Sequence, residues 1–251
     1  MTNSYEHNVN LELKAWQRKM NRRPSAAGKI SKSIQDRINR LIPAKVHKAI
    51  TATIKQMVRI VLFGSKFTVP RKNNYGSLEA TENAVLQKIN TYKKTAAVEG
   101  GITGAGGILL GLAEFPVLLG IKIKLLFDIA AKYGFDVKDY KERLYILYIF
   151  QLAFSSQKFR IGVYKKIENW QTQVTELPDD IHSFDWQSFQ QEYRDHIDLA
   201  KMAQLIPGIG SIVGVIVNYQ LIKKLGHTAM NAYRMRLEKM PSRYQIAGSS
   251  T

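Results

Sequence analysis

The sequence predicts an all-α fold, a multi-helix bundle with two central glycine-rich apolar helices and a basic amphipathic helical region near its N-terminus. Three observations predict it. Apolar residues recur at steps of three and four along several stretches. Alternating Val-, Ile- and Thr-rich runs joined by turn dipeptides, the signature of strands, are scarce. Two nearly uncharged runs of helix length carry glycines at regular steps. With 251 residues, 45% hydrophobic and 23% charged, the chain is long enough to bury a sizeable core.

Met1 to Asn10 is polar, with Glu6 and His7 and no apolar core of a secretory signal, so the body is expected in the cytoplasm. The 37 Lys and Arg outnumber the 20 Asp and Glu, a formal net charge of +17. Residues 1–72 hold 16 of the cations against Glu6, Glu12 and Asp36, a net of +13, and the remaining 179 residues carry only +4. The excess therefore belongs to a basic N-terminal arm, residues 1–72, ahead of a main helical domain over 73–240 and a polar tail over 241–251.

Within the arm, Ile30, Ile34, Ile38, Leu41, Ile42, Val46, Ile50, Ile54, Met57, Val58 and Val61 form one apolar face. Lys32, Arg37, Arg40, Lys45, Lys48, Lys55 and Arg59 lie opposite. Pro43 has no amide proton, so it kinks this stretch or starts a new helix at Ala44. A basic amphipathic helix of this type lies in a membrane interface or packs its stripe on the protein's own core. The surface expected to meet an anionic bilayer or a partner protein is Lys45, Lys48, Lys55 and Arg59, with Ile50 and Ile54 beside them.

Residues 67–76, with Pro70 and Gly76, read as a loop. Ser77 then caps a helix with Glu79 in its first turn, ending near Lys94. Gly100 to Ile121 follows as a long apolar segment, and Gly134 closes the next charged stretch. Asp136 to Phe154 is a further helical pattern. A polar interval spans Gln171 to Asp185, and the chain turns helical again from Trp186 through Phe189 and Tyr193 into the uncharged run Met202 to Ile222. A final helix runs to about Met240.

The two apolar segments have the length, about 20 residues, that crosses a bilayer core. Lysines flank both ends of each, which sets no orientation. Glu114 and Pro116 sit awkwardly for lipid. Gly100, Gly104, Gly107 and Gly111 in the first, and Gly208, Gly210 and Gly214 in the second, make flat stripes suited to close helix pairing, in a membrane or in a soluble core. Gly208, Gly210 and Gly214 also approximate a dinucleotide fingerprint, but neither the preceding strand nor the ribose-binding acid is in place.

Candidate chemistry is sparse. No cysteine excludes thiolate nucleophiles and Cys-based metal sites. Asp179, Asp180, His182, Asp185, Glu192, Asp195, His196 and Asp198 form the densest set of metal-ligand types, and Glu192 and His196 share a helix face. No second Glu/His pair accompanies them, so a solvated acidic face competes with a metal site. Glu114, in an apolar segment, is expected to be desolvated and is a candidate proton-handling group. No catalytic residue is assigned and no cofactor is expected. A metal- or carboxylate-dependent hydrolase built on these groups is the alternative to a binding protein. Nucleic-acid binding ranks third, because no helix-turn-helix, RNP or zinc-finger pattern accompanies the charge.

Gly100-Gly101-Ile102-Thr103-Gly104-Ala105-Gly106-Gly107, the step Tyr133-Gly134-Phe135-Asp136, and Leu205-Ile206-Pro207-Gly208-Ile209-Gly210-Ser211-Ile212-Val213-Gly214 with Asn218-Tyr219 together resemble the EcsC family, over about Ala44 to Leu237. The resemblance implies association with the EcsA and EcsB components of an ABC transporter in Gram-positive bacteria. It carries no catalytic residues. It marks the glycine blocks as structural determinants and draws attention to Asn218. The resulting expectation is a non-enzymatic accessory protein on the cytoplasmic side of the membrane, peripheral or partly inserted, with anionic lipid or a transporter subunit as partner.

Overall fold

Helices built on three- and four-residue apolar steps fill the computed structural model, which describes residues 4–23, 44–63, 76–103, 107–197 and 213–240. Among these residues there are nine α-helices and no strand: α1 Ser4–Asn21, α2 Ala44–Phe63, α3 Leu78–Thr103, α4 Gly107–Lys132, α5 Tyr140–Phe154, α6 Gln157–Glu168, α7 Trp170–Glu176, α8 Trp186–His196 and α9 Val213–Glu238. A single isolated antiparallel bridge joins Ser155 to Ile197.

Capping chemistry sets several of the ends. α2 is described from Ala44, and whether Pro43 kinks a longer helix or precedes a new one lies outside the described residues, as do Ile30, Ile34, Ile38, Leu41 and Ile42 of the expected stripe. The Ser77 hydroxyl accepts from the Ala80 amide at 3.2 Å, and Glu79 lies in the first turn of α3. At the end of α4 the backbone turns left-handed at Gly134, φ 81°. The Gly134 amide there donates to Ala131 and the Phe135 amide to Ala130, both at 3.0 Å, the paired bonds of a Schellman cap.

Other boundaries differ from expectation. Asp139, not Asp136, caps α5, accepting from Lys141 N at 2.9 Å; Asp136 instead holds the Lys138 amide in the turn before it. Residues 171–185 are not one polar loop, because α7 and a 3₁₀ turn over Ile181–Ser183 occupy part of it. α8 is capped by Asp185 through the Ser188 amide, as an N-terminus at Trp186 requires, but it stops at His196 where Ile197 turns extended. α9 begins at Val213, so the last part of the second glycine-bearing run belongs to the final helix. α1 is an additional helix. Its sparse stripe Val9, Leu13, Trp16 and Met20 buries Val9 and Leu13 and sets Trp16 edge-on to Tyr164 at 5.6 Å.

The first apolar segment, Gly100 to Ile121, is divided between the end of α3 and the start of α4, two helices that pack on each other. α3 runs on to Thr103 instead of ending near Lys94, since packing against α9 and α4 outweighs the low helix propensity of its glycines. Among the described residues, no helix is long and apolar enough to cross a membrane. The pairing of α3 with α9 is the most extensive, and α2, α4, α5 and α6 complete the bundle around one apolar core.

Gly226 allows the tightest approach. A Cβ there would sit 2.6 Å from Cδ1 and 2.7 Å from Cγ1 of Ile89, so with any other residue at this position Ile89 or the helices must shift. Gly226 thus does the work expected of the glycine stripes. Of those, Gly100 lies in α3, Gly107 and Gly111 in α4, and Gly214 in α9. Gly104, Gly208 and Gly210 fall outside the described residues.

Candidate functional site

Two Arg–carboxylate pairs sit inside the bundle, on either side of α9. Glu82 of α3 is fully buried, and Arg234 grips it side-on, Nε to Oε1 at 2.7 Å and Nη2 to Oε2 at 2.6 Å. Tyr133 donates to Oε1 at 3.1 Å and Tyr5 to Oε2 at 2.6 Å, and Arg234 Nη1 also reaches Glu12 at 2.9 Å. Two residues on, Arg236 pairs with buried Glu142 of α5 at 2.5 Å, and the Tyr233 hydroxyl donates to the same carboxylate at 2.7 Å. The Tyr133 and Tyr233 rings stack at 5.3 Å and join the two clusters, while the Arg236 guanidinium lies over Phe135 and Tyr145.

Desolvation works against the Arg234 charge, but the Glu82 carboxylate more than offsets it, and the guanidinium pKa is raised. Burial pushes the Glu142 carboxyl above its ordinary range, against the pull of Arg236 and the Tyr233 hydroxyl. Each carboxylate oxygen is already engaged, which suits a lock between helices better than proton transfer. Glu82, Glu142 and Arg236 were not anticipated as a set. Glu82 and Arg234 lie 152 positions apart, and no local pattern announces the pair.

The surface tells a different story. α2 buries Val46, Ile50, Ile54, Met57, Val58, Val61 and Leu62, with Ile50 and Ile54 at 0% exposure. This corrects the expectation that Ile50 and Ile54 contribute to a membrane or partner surface: their stripe packs on the protein's own core, because α4, α5 and α8 cover it. Lys45, Lys48, Lys55 and Arg59 are all exposed, and none has an ion-pair partner among the described residues. Elsewhere some cations are matched, since Lys88 and Lys124 flank Asp128, Lys141 pairs with Asp179 and Lys166 with Glu192, while Lys14, Lys19, Lys138 and Lys223 are exposed without an ion pair among the described residues.

Lys55 and Arg59 edge a hollow completed by Ala52, Gln56, Ile60, Phe63, Trp186 and Gln190. The Gln190 amide donates to the Lys55 carbonyl at 2.9 Å, and Phe63 meets Trp186 edge-on at 6.1 Å, so α8 fixes the wall of the hollow. Ile60 and Phe63 are large apolar side chains left exposed. Through Gln56 and Ile60 the hollow adjoins an apolar slot of about 110 Å³ between α2 and α4, lined also by Met57, Pro116, Leu119, Gly120 and Ile123.

The remaining candidates are dispersed. Glu192 pairs with Lys166 and lies 3.5 Å from His196 Nδ1; the His196 ring stacks on Phe159 at 4.3 Å. Burial lowers the His196 pKa, with Glu192 opposing. Asp180 and Asp185 cap helices, Asp179 pairs with Lys141, and Asp195 with Arg194. Asp198 lies outside the described residues. No group of three or more potential metal ligands occurs among the described residues. Glu114 is half-buried on α4, short of full enclosure. Asn218 is buried, and its Oδ1 accepts from the buried Lys122 at 3.4 Å, so the asparagine ties α9 to α4.

The model of the EcsC protein family matches residues 7–237, nearly the whole chain. The chain belongs to the EcsC protein family. It is 43% identical to Protein EcsC of Bacillus subtilis (strain 168) over 229 residues, 91% of this chain and 94% of that protein. It is 29% identical to an uncharacterized protein, YdbA, of the same strain over 141 residues, 56% of this chain and 52% of that one. No solved structure matches. The family match begins at residue 7, within α1, which carries Trp16, and so extends well ahead of Ala44.

Proposed function

We propose that this EcsC-family chain is a non-enzymatic accessory protein of an EcsA/EcsB-type ABC transporter, held at the cytoplasmic face of the membrane by the cationic side of α2. The observation that carries the reading is the division of that helix. Its apolar stripe is enclosed by the bundle, while Lys45, Lys48, Lys55 and Arg59 face outward without carboxylate partners among the described residues. Such a surface attracts phosphate-bearing headgroups, at about 1 kcal/mol per Lys or Arg near an anionic leaflet. The non-catalytic part rests on the carboxylates: Glu82 and Glu142 are bound by arginines, and Glu192 by Lys166. The transporter link rests on family membership.

Membrane fractions washed with high salt or carbonate test the placement. Release of the protein by both washes is the expected result, retention means insertion, and a wholly cytosolic protein at low salt sinks the reading. Competition between anionic vesicles and DNA across a salt series tests the partner. A preference for DNA that survives about 0.2 M salt contradicts it.

A further inference from the structure

We propose that the hollow and the adjoining slot form a binding site for one anionic phospholipid of the bilayer, its phosphate against Lys55 and Arg59 and an acyl chain in the slot beside Gly120. The proposal deepens the membrane reading above and rests on it.

The first argument is the make-up of the two connected parts. The hollow has two exposed cations, the aromatic walls Phe63 and Trp186, and no acid among its lining residues. Asp185, which precedes Trp186, accepts from the Ser188 amide at the cap of α8, and Glu192, two residues beyond Gln190, pairs with Lys166. The slot is apolar apart from Thr53 and Gln56, and the Thr53 hydroxyl is turned back onto the Ala49 carbonyl at 2.9 Å. Cationic rim and apolar floor, joined at Gln56 and Ile60, match the two ends of an anionic amphiphile.

Gly120 supplies an independent argument. It lies inside α4, where glycine destabilises a helix by about 1 kcal/mol relative to alanine. At Gly226 the reason is visible, since Ile89 fills the space. At Gly120 a Cβ would meet nothing within 4 Å. Among the described residues no other part of the chain takes the space a side chain would fill, as is also true at Gly162 of α6, but Gly120 alone of the two lines the slot.

That vacancy provides the test. Gly120→Leu starts from a Cβ position with no described atom within 4 Å and directs its side chain to the slot, so the variant should fold, which its Tm checks against Gly120→Ala. Its affinity for phosphatidylglycerol vesicles should fall about tenfold, the worth of roughly two buried methylenes. Lys55→Glu/Arg59→Glu should abolish binding to the same vesicles. In parallel, phosphatidylglycerol brominated on its acyl chains should quench Trp186 emission, measured as the difference between the parent and Trp186→Phe. A folded Gly120→Leu that binds as the parent does, or the absence of Trp186 quenching on bound vesicles, overturns the acyl slot while leaving electrostatic docking intact. No binding of the parent protein to anionic vesicles defeats the membrane reading itself.

Discussion

Arginines 234 and 236, inside the bundle, and Lys55 and Arg59, on α2, are cations set among aromatic rings, and they differ in what faces them. Arg234 has Glu82 and Glu12, and Arg236 has Glu142, with Tyr133 and Tyr233 completing the contacts. Lys55 and Arg59 have Phe63 and Trp186 at their edge and no carboxylate among the described residues. A buried cation with its own counter-ion specifies how helices meet, because a buried charge left alone is costly. An exposed cation without one leaves the protein's stability nearly unchanged and is available to an external anion. The comparison assigns architecture to the first region and recognition to the second.

The largest expected effect comes from opening the interior lock. Glu82→Gln leaves the Arg234 charge without its bidentate partner, and breaking such a buried pair costs about 3–5 kcal/mol, a fall in Tm of about 10 °C by calorimetry. Next comes Gly226→Ala, whose Cβ runs into Ile89; overpacking of this kind costs about 1–3 kcal/mol, partly offset by helix propensity. In an Ile89→Ala background the same change should be neutral or stabilising, a coupling that a double-mutant cycle in urea reads directly.

A smaller effect is pH-dependent. Burial lowers the His196 pKa, so the folded state holds the ring neutral while the unfolded chain takes up a proton near pH 6.5. Stability should therefore be complete at neutral pH and decline as pH falls through about 6.5 toward the folded value, and His196→Gln should flatten that slope in denaturant titrations. Smallest of all are changes at the open region. Gly120→Ala should stabilise by about 0.5–1 kcal/mol, and Lys55→Glu/Arg59→Glu should stay within about 0.5 kcal/mol of the parent in urea. A large loss of stability from the charge reversal would erase the contrast between the two regions.

What could be read in advance was local. The α2 stripe from Val46 to Val61, the Ser77 cap and the Gly134 stop depend on residues within a turn or two of one another, and the fold bears them out. α1 carried a legible stripe at Val9, Leu13, Trp16 and Met20, diluted by polar neighbours. The interior lock and the hollow were hidden for the same physical reason. Glu82 meets Arg234, and the α2 hollow meets Trp186, only through long-range packing, which leaves no periodic trace. In the acidic cluster, Asp180 and Asp185 serve as caps and Asp179 and Asp195 as ion-pair partners, uses that draw on the same residue types as metal sites and that sequence spacing alone does not separate from them.

The most direct test is flotation of the full chain with anionic and with neutral vesicles at low salt, alongside Lys55→Glu/Arg59→Glu shown to be folded. The account predicts that the parent floats with anionic vesicles only and that the charge-reversed variant stays at the bottom. Equal flotation of both proteins, or of the parent on neutral vesicles, would contradict it.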